Sequence, residues 1–97
     1  MVKIVVAPAL ARWLPASAGP QGHGFSLDVA ATRVDEALQA LFEHHPGLRG
    51  YVLDEHGAVR HHVAVIVDGE AITDKHRPVQ PLRDGSEVYI MQALSGG

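Results

Sequence analysis

The chain has 97 residues, 46% hydrophobic and 20% charged, with a formal charge of −3 and no cysteine. This size supports one small domain with a single core and little room for an internal active-site cavity. The acidic balance argues against a nucleic-acid partner, and the missing thiol excludes disulfides, thiolate catalysis, iron–sulfur ligation and a cysteine-based zinc site. Val2 to Pro8, "VKIVVAP", is short, β-branched and closed by proline, which predicts a first strand. Ala9 to Pro15 suits a helical turn, and the Gly- and Pro-rich Ala16 to Gly24 reads as a loop. Phe25 to Val29, "FSLDV", alternates apolar and polar residues, so a second strand is expected, in a hairpin with the first.

A helix is predicted over Thr32 to His45. Thr32 suits the N-cap, and Asp35, three residues on, occupies the acid position of a capping box. Val34, Ala37, Leu38, Leu41 and Phe42 share one face, and Pro46-Gly47 ends the element. The stretch from Tyr51 to Ile72 reads as further sheet: Val63 to Val67 is almost wholly β-branched, and Asp68-Gly69 signals a hairpin turn. A last strand is expected from Ser86 to Ala93. Its alternation puts Val88 and Ile90 on the core face and Glu87, Tyr89 and Met91 on the outer face.

Strand, strand, helix, strand, turn region and strand compose an α+β domain, a mixed sheet of four to five strands with one main helix on one face. This is the β-grasp, or ubiquitin-like, arrangement. The domain is expected over residues 1–93, with 94–97 as a flexible tail, "LSGG". Extended, such a tail reaches about 13 Å. The start of the chain is too short and weakly basic for a signal peptide. No stretch approaches the roughly 20 apolar residues that cross a bilayer, so a cytoplasmic protein without membrane contact is expected.

The final Gly96-Gly97 carries the functional question. A C-terminal carboxylate, with a pKa of about 3.3–3.7, is an anion at neutral pH and a poor electrophile. As an acyl-adenylate it loses that charge and gains a good leaving group. Glycine, lacking a Cβ, passes through a narrow channel into a partner's active site. Taken alone, the two glycines are equally consistent with a frayed end.

Four segments together carry a resemblance: the opening "VKIVVAPALARWLP", the helix "TRVDEALQALFEHHP", the hairpin "VAVIVDGEAI" and the closing "LRDGSEVYIMQALSGG". Over nearly its full length the chain resembles the MoaD/ThiS family of ubiquitin-like sulfur carriers. The resemblance implies that an E1-like adenylyltransferase uses ATP to adenylate Gly97, which then becomes a thiocarboxylate and donates sulfur to an acceptor enzyme. It further implies that Leu94, Ser95 and Gly96 thread into the partner, and that the chain is a carrier, not a catalyst, binding no cofactor itself. The long segment "LRGYVLDEHGAVRHH" and the form of the tail look more like the branch feeding a cysteine synthase-like acceptor. Thiamine and other sulfur metabolites are further candidates, and the small subunit of molybdopterin synthase, beside its large subunit, is an alternative. A ubiquitin-like modifier joined to lysines through Gly97, and a binding module whose glycines are incidental, complete the rivals.

Other residues yield less. Tyr89 and Met91 are assigned to a partner-docking surface, because the opposite face already has Val88 and Ile90 for the core. Trp13, between apolar neighbours, suits either core or docking. His44-His45 ends the helix, and His61-His62, read as strand neighbours, would point to opposite faces. Neither pair is placed to grip one ion, so no metal site is assigned. The serines fit no nucleophile-elbow pattern, and Asp54-Glu55 and Asp35-Glu36 read as a turn and a helix start. "GPQGHG" lacks the Lys-Ser/Thr of a phosphate loop.

Overall fold

The computed structural model describes residues 1–11 and 24–92; Trp13 and the tail from Ala93 lie outside the described residues. Strands β1 (Val2–Val6), β2 (Phe25–Val29), β3 (Val63–Val67), β4 (Glu70–Ala71) and β5 (Glu87–Gln92) form one sheet in the order β2-β1-β5-β3-β4. β1 and β5 pair in parallel at the centre, and the other pairings are antiparallel. Parallel neighbours cannot be joined by a tight turn. The connection between them includes the short helix α1 (Pro8–Ala11), the main helix α2 (Val34–His44), a 3-10 turn (Pro46–Leu48) and the short helix α3 (Arg49–Val52).

Alternation along the strands sends one set of side chains inward. Val2, Ile4 and Val6, then Val63, Val65 and Val67, then Val88 and Ile90 are buried. Helix α2 covers them with Val34, Ala37, Leu38, Leu41 and Phe42, the face expected from its 3–4 spacing. The β-grasp expectation holds, and so does the β1–β2 hairpin, in which Val2 faces Val29 and Val6 faces Phe25.

The start of α2 differs from the sequence expectation. Thr32 is not the N-cap: Arg33 is, and its side chain makes no cap bond. The Thr32 N–H and hydroxyl both donate to Glu36 Oε1 at 2.8 Å, so Glu36, not Asp35, reaches back to the chain. The cause is tertiary. Arg33 is held extended in a bridge with Pro81, the Val34 N–H donates to the Gln80 carbonyl, and the Leu82 N–H donates to the Thr32 carbonyl. Asp35 instead pairs with the Arg33 guanidinium at 3.1 Å.

Residues 51–62 are also not continuous sheet. Tyr51 and Val52 lie in α3, and Leu53 and Val59 form only an isolated bridge around a turn that Asp54 closes by accepting the His56 and Ala58 N–H groups. Leu48 and Val52 are fully buried, so helical turns serve the core better here than strand alternation would. His61 and His62 therefore precede β3 instead of lying within it, and their rings meet edge-on, 5.8 Å apart.

The β3–β4 turn places Asp68 at φ 49° and Gly69 at φ 89°, backbone that asparagine, aspartate and glycine tolerate best. The Asp68 carboxylate accepts the Glu87 N–H at 2.9 Å and the buried Ser86 hydroxyl at 3.0 Å. These bonds, led by the Glu87 N–H, hold its pKa below the ordinary value. A depressed folded-state pKa contributes stability that is complete above the unfolded pKa of about 3.9 and is lost as pH falls through the folded value. Asp68→Asn keeps the turn conformation and removes the charge. In chemical denaturation we expect it to be less stable than wild type at pH 7, and the difference to vanish in acid; an equal deficit at both pH values would contradict this.

Candidate functional site

The outer face of the sheet is built by the residues that alternation turns away from α2. Tyr89 lies at the centre of β5, between Val5 of β1 and Ile66 of β3 in register, and Met91 faces Ala64. All five are half-buried. Ile66 also faces Ala71 on β4. The result is one apolar strip across three strands with Tyr89 in its middle, the composition of an interface core. Lys3, Asp28 and Glu87, all exposed and neighbours in register, form a charged border where β5 begins.

Tyr89 and Met91 thus lie together on the outer face, as alternation predicted. The sequence does not distinguish Val5, Ala64 and Ile66, because in "VAVIV" both faces of the strand are apolar and only the register places Ile66 beside Tyr89.

β5 is a central strand, and its direction fixes where the chain leaves the domain. It begins at the Asp84-Gly85 turn, where the Met1 ammonium pairs with Asp84 and the Gly85 N–H donates to the Met1 carbonyl. That ammonium holds the Asp84 carboxyl below its ordinary pKa. β5 then runs parallel to β1 and reaches Gln92, opposite Val63. Leu94, Ser95, Gly96 and Gly97 lie beyond, outside the described residues.

The histidines fall in separate places. His44 is the last residue of α2, and His45 caps it, its N–H donating to the Leu41 carbonyl and its ring 4.9 Å from that of Phe25. Burial, then the charge of His44, pushes the His45 pKa down. Among the described residues no three His, Asp or Glu side chains are grouped to hold a metal ion. Nor is any helix among them long and apolar enough to cross a membrane.

The ThiS family model matches residues 25–97, three-quarters of the chain and every strand except β1. No curated protein matches the sequence. Among solved structures the chain is similar to SAMP1 from Haloferax volcanii, at 27% identity over 99% of this chain and 98% of that one, with a TM-score of 0.72. A chain of the Amycolatopsis orientalis BexX/CysO complex has the same fold, at 18% identity over 100% of both chains, with a TM-score of 0.78. The small archaeal modifier protein 1 of Methanosarcina acetivorans shares it at 19% identity over 100% and 98%, with a TM-score of 0.64. A family match that runs through the sheet and the terminal glycines, on a five-stranded mixed sheet backed by one main helix, makes this chain a member of the ThiS family with the ubiquitin-like β-grasp fold.

Proposed function

We propose that the chain is a sulfur carrier whose working group is the Gly97 carboxylate. The family match extending through Gly97 carries this reading. An E1-like adenylyltransferase docks on the strip around Tyr89 and receives Leu94, Ser95, Gly96 and Gly97 in its channel. There a Gly97 carboxylate oxygen attacks the α-phosphorus of ATP and pyrophosphate leaves. Hydrosulfide then adds at the acyl carbon and AMP departs, leaving a thiocarboxylate in which sulfur replaces one oxygen. The chain supplies the handle and the docking face, and the catalytic groups and ATP site belong to the partner. A thiocarboxylate requires no thiol in the carrier, which accords with the absence of cysteine. The acceptor we favour is a cysteine synthase-like enzyme, in keeping with the long segment before β3 and the fold shared with a chain of the BexX/CysO complex.

One observation favours a second reading. The similar Haloferax volcanii chain is a small archaeal modifier protein, and a modifier would pass the same Gly97 adenylate to a lysine amine. Intact-mass analysis of the protein from its own host separates the two readings. A carrier yields the free chain with sulfur in place of oxygen; a modifier yields conjugates heavier by a whole target protein.

A further inference from the structure

The end of the sheet from which the tail departs carries two cations, Arg60 and Lys75. Gln92, the last residue of β5, faces Val63, so Arg60, His61 and His62 directly precede the strand residue beside the tail's exit. Lys75 folds over the same turn, its ammonium donating to the His61 carbonyl at 3.1 Å and the Arg60 carbonyl at 3.4 Å. Arg60 Nε donates to the Gly50 carbonyl at 2.9 Å. Both cations therefore use some of their donors on backbone oxygens, and among the described residues neither has a carboxylate within the 4 Å of an ion pair. His76 completes the ring around one shallow cleft with Arg60, His61, His62 and Lys75. Asp54, also on that cleft, accepts two backbone N–H groups, and these bonds, with the Arg60 charge as a lesser influence, keep its carboxyl pKa below the ordinary value.

The opposite end of β5 has the reverse sign. Glu87 opens the strand, with Asp68 bonded to its N–H and Asp84 in the preceding turn. Lys3, Arg83 and the Met1 ammonium offset part of that acidity, so carboxylates keep a small excess where β5 begins, while Arg60 and Lys75 outnumber Asp54 where it ends, in a chain whose overall charge is −3. A carboxylate-rich protein surface repels such a body on average and attracts this end. That arrangement steers encounter and fixes orientation.

Resting on the reading above that Gly97 enters a partner's channel, we propose that Arg60, His61, His62, Lys75 and His76 form a docking collar for an acidic rim at the mouth of the adenylyltransferase channel. The collar brings the chain in tail first.

The test uses the full chain and the adenylyltransferase of the same genome, with adenylation of Gly97 followed at varied carrier concentration. Arg60→Glu/Lys75→Glu is expected to raise KM about tenfold at 50 mM NaCl, leave kcat within twofold, and converge on wild type at 0.5 M NaCl, where exposed charges are screened. Because Arg60 and Lys75 also hold backbone carbonyls, His61→Glu serves as a second variant; its side chain is exposed and makes no hydrogen bond among the described residues. It is expected to raise KM in the same direction with the same salt dependence. Unchanged KM in both variants, with Gly97 still adenylated, overturns the collar and leaves the carrier reading standing. If wild type is bound but not adenylated, binding weakened by both reversals keeps the collar and overturns the carrier reading. Absent binding overturns both.

Discussion

A chain shortened to Gly96 is expected to support no ATP–pyrophosphate exchange with the E1-like partner, a loss of at least about a hundredfold, while wild type supports it. Adenylation requires the terminal carboxylate to meet the α-phosphorus at bonding approach. Removing one extended residue withdraws it by about 3.5 Å, and a misplacement of about 1 Å already costs on the order of a hundredfold. No other part of the domain compensates, because the point from which the tail leaves is the end of β5, which is locked between β1 and β3. The fold should not notice: among the described residues the last strand ends at Gln92 and the buried cluster at Ile90. Wild-type exchange by the shortened chain would make the glycines incidental and leave a docking module.

The second large effect is expected on the outer face. Tyr89→Ala/Met91→Ala should weaken partner binding about 30- to 100-fold, roughly 2–3 kcal/mol, as truncation of central aromatic anchors does. The same change should cost the fold little. Tyr89 and Met91 are only half-buried and contribute cross-strand contacts with Val5, Ile66 and Ala64, worth about 0.2–1 kcal/mol each. Calorimetric titration against the adenylyltransferase, with a denaturation curve of each protein, separates the two effects. Wild-type affinity in the double variant would move docking to the helix side of the molecule, where Tyr51 and Val79 are exposed.

Much of this fold was legible in the residues. β-Branched runs located β1 and β3, Asp68-Gly69 located the hairpin from β3 into β4, and the spacing of Val34, Leu38 and Leu41 gave the buried face of α2. Alternation in "EVYIMQ" separated Val88 and Ile90 from Tyr89 and Met91 with nothing but the position of Glu87 to set the sign. The misreadings share a cause, which is contact between distant parts of the chain. Thr32 is a good N-cap by local chemistry, yet pairing of its neighbour with Pro81 keeps the backbone extended one residue longer. "YVL" has strand composition, yet its Val52 is used by the core from a helical turn. Nor does the sequence place Lys75 over Arg60 and His61, or Ile66 beside Tyr89, since side-chain wrapping and strand register exist only in the folded chain. The tail is the reverse case: the chemistry proposed for it rests on two glycines and a family likeness.

The central claim is that Gly97 accepts sulfur. The most direct measurement is the intact mass of the full chain after incubation with its E1-like enzyme, ATP and a sulfide source, with the C-terminal peptide fragmented to locate any change. The carrier account predicts a gain of about 16 Da confined to Gly97, sulfur having replaced oxygen, and its absence when ATP is withheld. An unmodified Gly97, in the presence of an enzyme that thiolates another member of the family, would contradict it.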